Sequence, residues 1–193
     1  MKTLLCKNDY LAKYSFPISK MNIILDIDGC LISELSDKCT KIVARPYLRD
    51  FLVFCFSNFD NVSIWTAADQ SWYKRVRDKY FQPILDDLKV DFDFVFCSDR
   101  CLTIPDPDPD DKFPTPIDIK PLKKVWKRKK GYTRHNTLVV DDTPHTYSRN
   151  YGNAVPISSY NDLQKDDSSL LNLIDVLKHR QSLFQHHGTV RKK

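Results

Sequence analysis

Apolar residues along the chain fall into short continuous runs separated by amphipathic and polar stretches. "NIILDI" (Asn22–Ile27) reads as a buried strand that reaches its end at Asp26. From Pro46 to Asn58, Leu48, Phe51, Leu52 and Cys55 recur at helical spacing behind a proline suited to a first helical turn. "NVSIWT" (Asn61–Thr66) predicts a second strand, and Asp69–Leu88 a long helix interrupted or bent near Pro83. "FDFVFC" (Phe92–Cys97) predicts a third strand. Ser98–Ile119 is too rich in proline for a helix or a central strand and reads as irregular. Pro121–Lys130 predicts a short helix stopped by Gly131. "NTLVVDD" (Asn136–Asp142) predicts another strand and "NAVPIS" (Asn153–Ser158) a last short one. Leu170, Leu173, Ile174 and Leu177 place a helix from Leu163 to about Phe184, ahead of a frayed basic tail.

Alternating strands and helices imply an α/β fold: a single Rossmann-like, doubly wound parallel sheet with helices on both faces. Residues 21–160 form the expected catalytic domain. Residues 1–20 are an N-terminal extension, 161–184 a helix packing on the domain, and 185–193 the tail. Folds of this class bind ligands outside the carboxyl ends of the strands. The polar residues at those ends are Asp26, Thr66, Asp141 and Asp142, with Asp28 in the turn after the first strand. Lys120 lies just before the helix leading into the last of these strands. The proposed elements fill the chain between Asp28 and Thr66 and between Thr66 and Lys120, leaving no room for a cap domain.

Several carboxylates held together repel one another unless a cation sits among them. Oxygen ligation without His or Cys selects a hard ion, and few protein ligands with several waters is the habit of Mg²⁺. Such an ion bridges carboxylates to a phosphate. A carboxylate can also attack phosphorus to form an aspartyl-phosphate. Asp26 suits that role, with Asp28 protonating the leaving oxygen and then taking a proton from the hydrolytic water. Thr66 and Lys120 would bind phosphoryl oxygens.

"DIDGC", "WTA", "IKPL" and "VVDDTP" resemble, in order, the motifs of the haloacid dehalogenase superfamily. The resemblance narrows to the phosphatases acting on the carboxy-terminal domain (CTD) of RNA polymerase II and their small NLI-interacting-factor-like relatives. "RPYLRDFL", "SIWTAADQSWYKRV" and "DDTPHTYSRNYGNAVPI" carry it beyond the motifs, over roughly Met21 to Tyr160. Compact versions of the domain encoded by large DNA viruses are similar too. The resemblance implies Asp26 as nucleophile and Asp28 as general acid and base, with Thr66, Ala67 and Lys120 binding phosphate. It implies Mg²⁺ held by Asp26, the backbone carbonyl of Asp28, and Asp142, with Asp141 behind them or sharing the ion. Where this branch usually carries Glu-Thr after the second aspartate, the chain has Gly29-Cys30. Ser98–Ile119, in the region that helps choose substrate in these enzymes, matches the family poorly.

An uncapped site suits a phosphate on a large substrate, since small metabolites need enclosure. A phosphoserine/phosphothreonine protein phosphatase is therefore favoured, the polymerase tail being one candidate substrate. The enzymatic alternative is a nucleic-acid end phosphatase, whose backbone the cationic "KPLKKVWKRKKG" (Lys120–Gly131) could follow. The same helix also fits a solvated cationic face with Leu122, Val125 and Trp126 packed inward. A net charge of +5 is weak for a dedicated nucleic-acid binder. A catalytically silent binding module would be expected to lose the nucleophile or the acid, and both are kept. No apolar run approaches bilayer length, and Lys7, Asp9 and Lys13 break the N-terminus too early for a signal-peptide core. An intracellular protein, cytoplasmic or nuclear, with free thiols is expected. Cys6, Cys30, Cys39, Cys55, Cys97 and Cys101 include no CxxC pair, which disfavours zinc.

Overall fold

The computed structural model describes residues 21–35, 41–106, 115–150, 152–161 and 166–191. Five strands form a parallel sheet: β1 (Asn22–Leu25), β4 (Asn61–Trp65), β5 (Val95–Phe96), β8 (Thr137–Asp141) and β9 (Ala154–Pro156), in the order β5-β4-β1-β8-β9. The chain moves outward from β1 through β4 to β5, then crosses back to β8 on the other side of β1. The carboxyl ends of β1 and β8 therefore flank the switch point of the sheet, where an α/β fold opens a crevice. Register puts Leu25 beside both Ile64 and Val140, so the residues that follow β1, β4 and β8 emerge at one edge.

Successive strand side chains face opposite ways, and both faces are buried. Ile23 and Leu25, with Val62, Ile64, Leu138 and Val140, face α1 (Leu48–Asn58), α2 (Gln70–Val76), α3 (Gln82–Leu88) and α5 (Ser169–His187). Ile24, Trp65 and Val139 face the other way, onto Val125 of α4 (Lys123–Arg128), Leu122 just before it, and Tyr132. The inward side of the cationic helix is thus core. Trp126 is partly buried against the same cluster, with its lysines on the outer face.

The expected elements occur where the periodicity placed them, mostly with shorter ends, although the C-terminal helix runs on to His187, past the expected end near Phe184. The Asp69–Leu88 helix is broken at Arg77–Phe81, a π turn in which the Gln82 N–H reaches back to the Arg77 carbonyl. Pro83 follows immediately. Its missing N–H and the ring's clash with the preceding turn account for the disruption. Two features depart from the expectation. Ile32–Leu35 (β2) and Lys41–Ala44 (β3) form an antiparallel ribbon where no strand was predicted. Ser98–Ile119 is not irregular throughout: β6 (Leu102–Pro105) pairs antiparallel with β7 (Pro116–Ile119). Both prolines lie at the ribbon's far end, where losing a donor costs least. Residues 107–114, with Asp108, Asp110 and Asp111, and the N-terminal 1–20 lie outside the described residues, as does the start of the predicted C-terminal helix. No cap domain separates β1 from β4, or β4 from Lys120, among the described residues. No helix among them is long and apolar enough to cross a membrane.

Candidate active site

The turn after β1 is held by one acceptor. The Ile27 carbonyl receives the N–H groups of Cys30, Leu31 and Ile32, while Gly29 N–H reaches the Ile32 carbonyl at 2.8 Å. Gly29 adopts φ +71°, a left-handed conformation that glycine enters without a Cβ penalty. Its bare Cα also lets Asp142 approach: a Cβ there would lie 2.4 Å from Asp142 Oδ2 and 2.8 Å from Ser159 Oγ. The first and last strands' loops are therefore packed together at the sheet edge.

Asp26, buried, meets the ammonium of Lys120 at 2.6 Å, and the same Nζ donates to Asp141 Oδ2 at 2.9 Å. Lys120 itself is buried and held by its backbone. Its N–H donates to the Thr146 carbonyl, and its carbonyl accepts from Asn150 Nδ2, whose side-chain oxygen also takes the Leu122 N–H. Burial works against the charged lysine, but Asp26 and Asp141 outweigh it and hold the ammonium firmly protonated. Burial pushes Asp26 up to about 7, aided by the neighbouring Asp141 charge and opposed by Lys120.

Asp28 belongs to a different network. Thr66 Oγ1 donates to its Oδ2 at 3.0 Å and Trp72 Nε1 to its Oδ1 at 2.7 Å. Thr66 Oγ1 in turn accepts the Ala68 N–H at 3.0 Å, and Ala67 between them is exposed. Trp72 sits in the first turn of α2, which Asp69 caps through the Trp72 N–H. One carboxylate is thus buried against a lysine, and its neighbour two residues on is half-buried and held by neutral donors.

Oxygens of Asp26, Asp141 and Asp142 lie within 4.8 Å of one another. One lysine does not neutralise three carboxylates, and an all-oxygen set fits a hard divalent cation, which would keep Asp26 ionised. Asp141 is the most committed member: its Oδ2 takes Lys120 and its Oδ1 the Thr143 N–H. Asp142 is partly exposed, with Thr143 Oγ1 at 3.3 Å from its Oδ1.

Every residue expected at the site from sequence is at this edge: Asp26, Lys120, Asp141 and Asp142 in one cluster, Asp28 and Thr66 in another, Ala67 beside them. Trp72 was missed, since an aromatic in a helical first turn reads as core. Arg45 was missed as well. Fully buried, it donates to the carbonyls of Cys30 (3.0 Å) and Ser158 (2.9 Å) and pairs with Asp167 (2.8 Å), fastening the first turn from behind. It opens the "RPYLRDFL" stretch that carries the family resemblance, but nothing in that stretch signals a buried clamp. Cys30 is wholly buried, and burial pushes its thiol well up, which makes it inert packing and not a reactive thiolate.

The sequence model of the family described as NLI interacting factor-like phosphatase matches residues 21–190. The "Ubiquitin-like domain-containing CTD phosphatase 1" of Drosophila melanogaster is 27% identical over 163 residues, covering 82% of this chain and 48% of that protein. The chain spans about half the length of that relative. The "Putative CTD phosphatase-like protein 355R" of Invertebrate iridescent virus 6 is 26% identical over 139 residues, 70% of this chain and 73% of that protein.

Proposed function

The chain belongs to the NLI interacting factor-like phosphatase family, and from that premise we propose that it is a Mg²⁺-dependent phosphoserine/phosphothreonine protein phosphatase working through an aspartyl-phosphate on Asp26. The observation that carries the reading is the division of labour between two carboxylates. Asp26 is fixed on the end of a core strand by Lys120, 2.6 Å away, while Asp28 is held separately by Thr66 and Trp72.

In the first step an Asp26 oxygen attacks phosphorus and the bond to the seryl or threonyl oxygen breaks. Protonated Asp28 gives that oxygen its proton. Asp28, now a carboxylate, takes a proton from water as the water oxygen attacks phosphorus. The bond to Asp26 breaks, and inorganic phosphate leaves with both aspartates restored. Lys120 offsets charge on Asp26, and with Thr66 and the Ala67 backbone it meets the phosphoryl oxygens. Asp26, Asp142 and the Asp28 carbonyl would hold Mg²⁺, which supplies charge neutralisation at the phosphoryl group. Asp141, fully engaged by Lys120 and Thr143, supports the cluster from behind.

The lack of a cap domain among the described residues supports a large substrate, since small metabolites need enclosure. The test is turnover on phosphoserine, phosphothreonine and phosphotyrosine peptides and end-phosphorylated oligonucleotides, with Mg²⁺ and with EDTA. Hydrolysis of the phosphoserine or phosphothreonine peptides that EDTA abolishes supports the reading. Preference for oligonucleotides, or full activity in EDTA, contradicts it.

A further inference from the structure

A second concavity lies beside this site. It is a cleft of about 820 Å³ whose walls include Leu102, Trp126, Lys123, Lys127, Arg128 and Arg149. Two of its lining residues adjoin, in sequence, residues at the site. Pro121, which also lines it, follows Lys120, and Leu102 follows Cys101, whose thiol approaches the Thr66 carbonyl at 3.9 Å. Lys124 joins the sides by donating to the Arg100 and Cys101 carbonyls at 2.9 and 2.8 Å. Arg149 adjoins Asn150, the residue that holds the Lys120–Leu122 backbone.

The charge around this cleft is unbalanced. Lys123, Lys127, Arg128 and Arg149 are exposed, and none pairs with a carboxylate among the described residues. The Trp126 indole N–H is buried there without an acceptor among them. A merely solvated cationic face would be convex and would not wrap its charges around an apolar floor of Leu102, Pro121 and Trp126. Two arginines and two free lysines suit a dianionic phosphate, which arginine grips through paired N–H groups. A nucleic-acid backbone fits less well. The adjoining ribbon carries Asp106 and Asp118, whose charge would repel a phosphate backbone running along it.

We propose that this cleft binds a second phosphorylated residue of the same peptide, so that the preferred substrate is a doubly phosphorylated segment with one phosphate at Asp26 and the other between α4 and β6. The proposal rests on the phosphoprotein reading above. The apolar floor would hold the side chain between the two phosphates.

The probes are peptides with one hydrolysable phosphoserine and, two to six residues away on either side, a non-hydrolysable phosphonate or an unmodified serine. At one spacing the phosphonate should raise kcat/KM about ten-fold, mainly through KM. The triple variant Lys127→Ser, Arg128→Ser, Arg149→Ser should lose that gain while hydrolysing p-nitrophenyl phosphate at the wild-type rate. Fluorescence anisotropy of the same peptides on Asp26→Asn protein reads the cleft without turnover. If no peptide is hydrolysed but anisotropy still shows the ten-fold preference, the phosphoprotein reading fails and the cleft assignment stands. The assignment is overturned by a flat response at every spacing, by a gain that survives the triple variant, or by tighter binding of a phosphorylated oligonucleotide through the same residues.

Discussion

Trp72→Phe isolates the role of Asp28 better than removing the aspartate does. The substitution deletes one donor, the indole N–H at 2.7 Å from Asp28 Oδ1, and leaves Thr66 on the other oxygen. Asp28 acts as the acid in its neutral form, and a hydrogen bond between neutral groups is worth about 0.5–1.5 kcal/mol. Water can partly replace it at a half-buried carboxyl, so a net loss of about 0.5–1 kcal/mol in positioning is expected, or roughly 2–5-fold in rate. That loss should fall only on steps that need the proton. The ratio kcat/KM reports events up to the first irreversible step, here formation of the aspartyl-phosphate. On a phosphoserine peptide, whose alkoxide must be protonated, kcat/KM should fall about 2–5-fold. On p-nitrophenyl phosphate, whose leaving phenolate needs no proton, it should stay at the wild-type value. Trp72 is only 6% exposed, so the smaller ring also costs packing, about 1–2 kcal/mol and a few degrees of Tm. Assays well below the transition keep this separate. Equal losses on both substrates, or none on either, would refute the assignment of Asp28 as the acid.

Gly29→Ala places a methyl 2.4 Å from Asp142 Oδ2, where ordinary contact begins at 3.4 Å, so Asp142 must retreat by about 1 Å and kcat/KM should drop about 10²-fold. Titration with Mg²⁺ checks this, and an unchanged requirement would mean that Asp142 does not hold the ion. Lys120→Met leaves Asp26 and Asp141 without their shared cation, so Mg²⁺ should raise the Tm of this variant more than that of the wild type; equal shifts would count against a common cluster. Arg45→Met strands the buried Asp167 and should cost about 3–5 kcal/mol by urea unfolding. Burial alone would raise Asp167, yet Arg45 and the Ser169 N–H hold it below the usual carboxylate range. Its stabilisation is therefore full above the unfolded value, about 3.9, and lost as pH falls through the lower folded value. Urea midpoints between about pH 2 and 5 should consequently fall less steeply in Arg45→Met than in the wild type.

Much of the site was legible because chemistry and fold mark the same positions. A buried parallel strand announces itself as a continuous apolar run, and Asp26, Thr66 and Asp141 are the polar residues that end such runs. What escaped was set by contacts distant in sequence. Trp72 reaches Asp28 across 44 residues and Arg45 reaches Asp167 across 122, and the stretches that carry the resemblance around both residues do not give these partners. The β2–β3 and β6–β7 ribbons were hidden for a different reason. Two-stranded ribbons outside the core need no sustained alternation, and Pro105 opposite Pro116 masks the second one. The break at Arg77–Phe81 could be placed near Pro83, but not its π geometry, in which the Gln82 N–H reaches five residues back to the Arg77 carbonyl.

The account stands on covalent transfer of the phosphoryl group to Asp26, and that can be observed directly. In Asp28→Asn protein, p-nitrophenyl phosphate should still form the intermediate, while its hydrolysis lacks a base, so the adduct should accumulate. Acid-quenched samples, digested and analysed by mass spectrometry, should show one added phosphoryl group on the peptide carrying Asp26. The adduct should be lost on treatment with hydroxylamine and absent from Asp26→Asn protein. A phosphoryl group on any other residue, or wild-type turnover by Asp26→Asn protein, would contradict the mechanism.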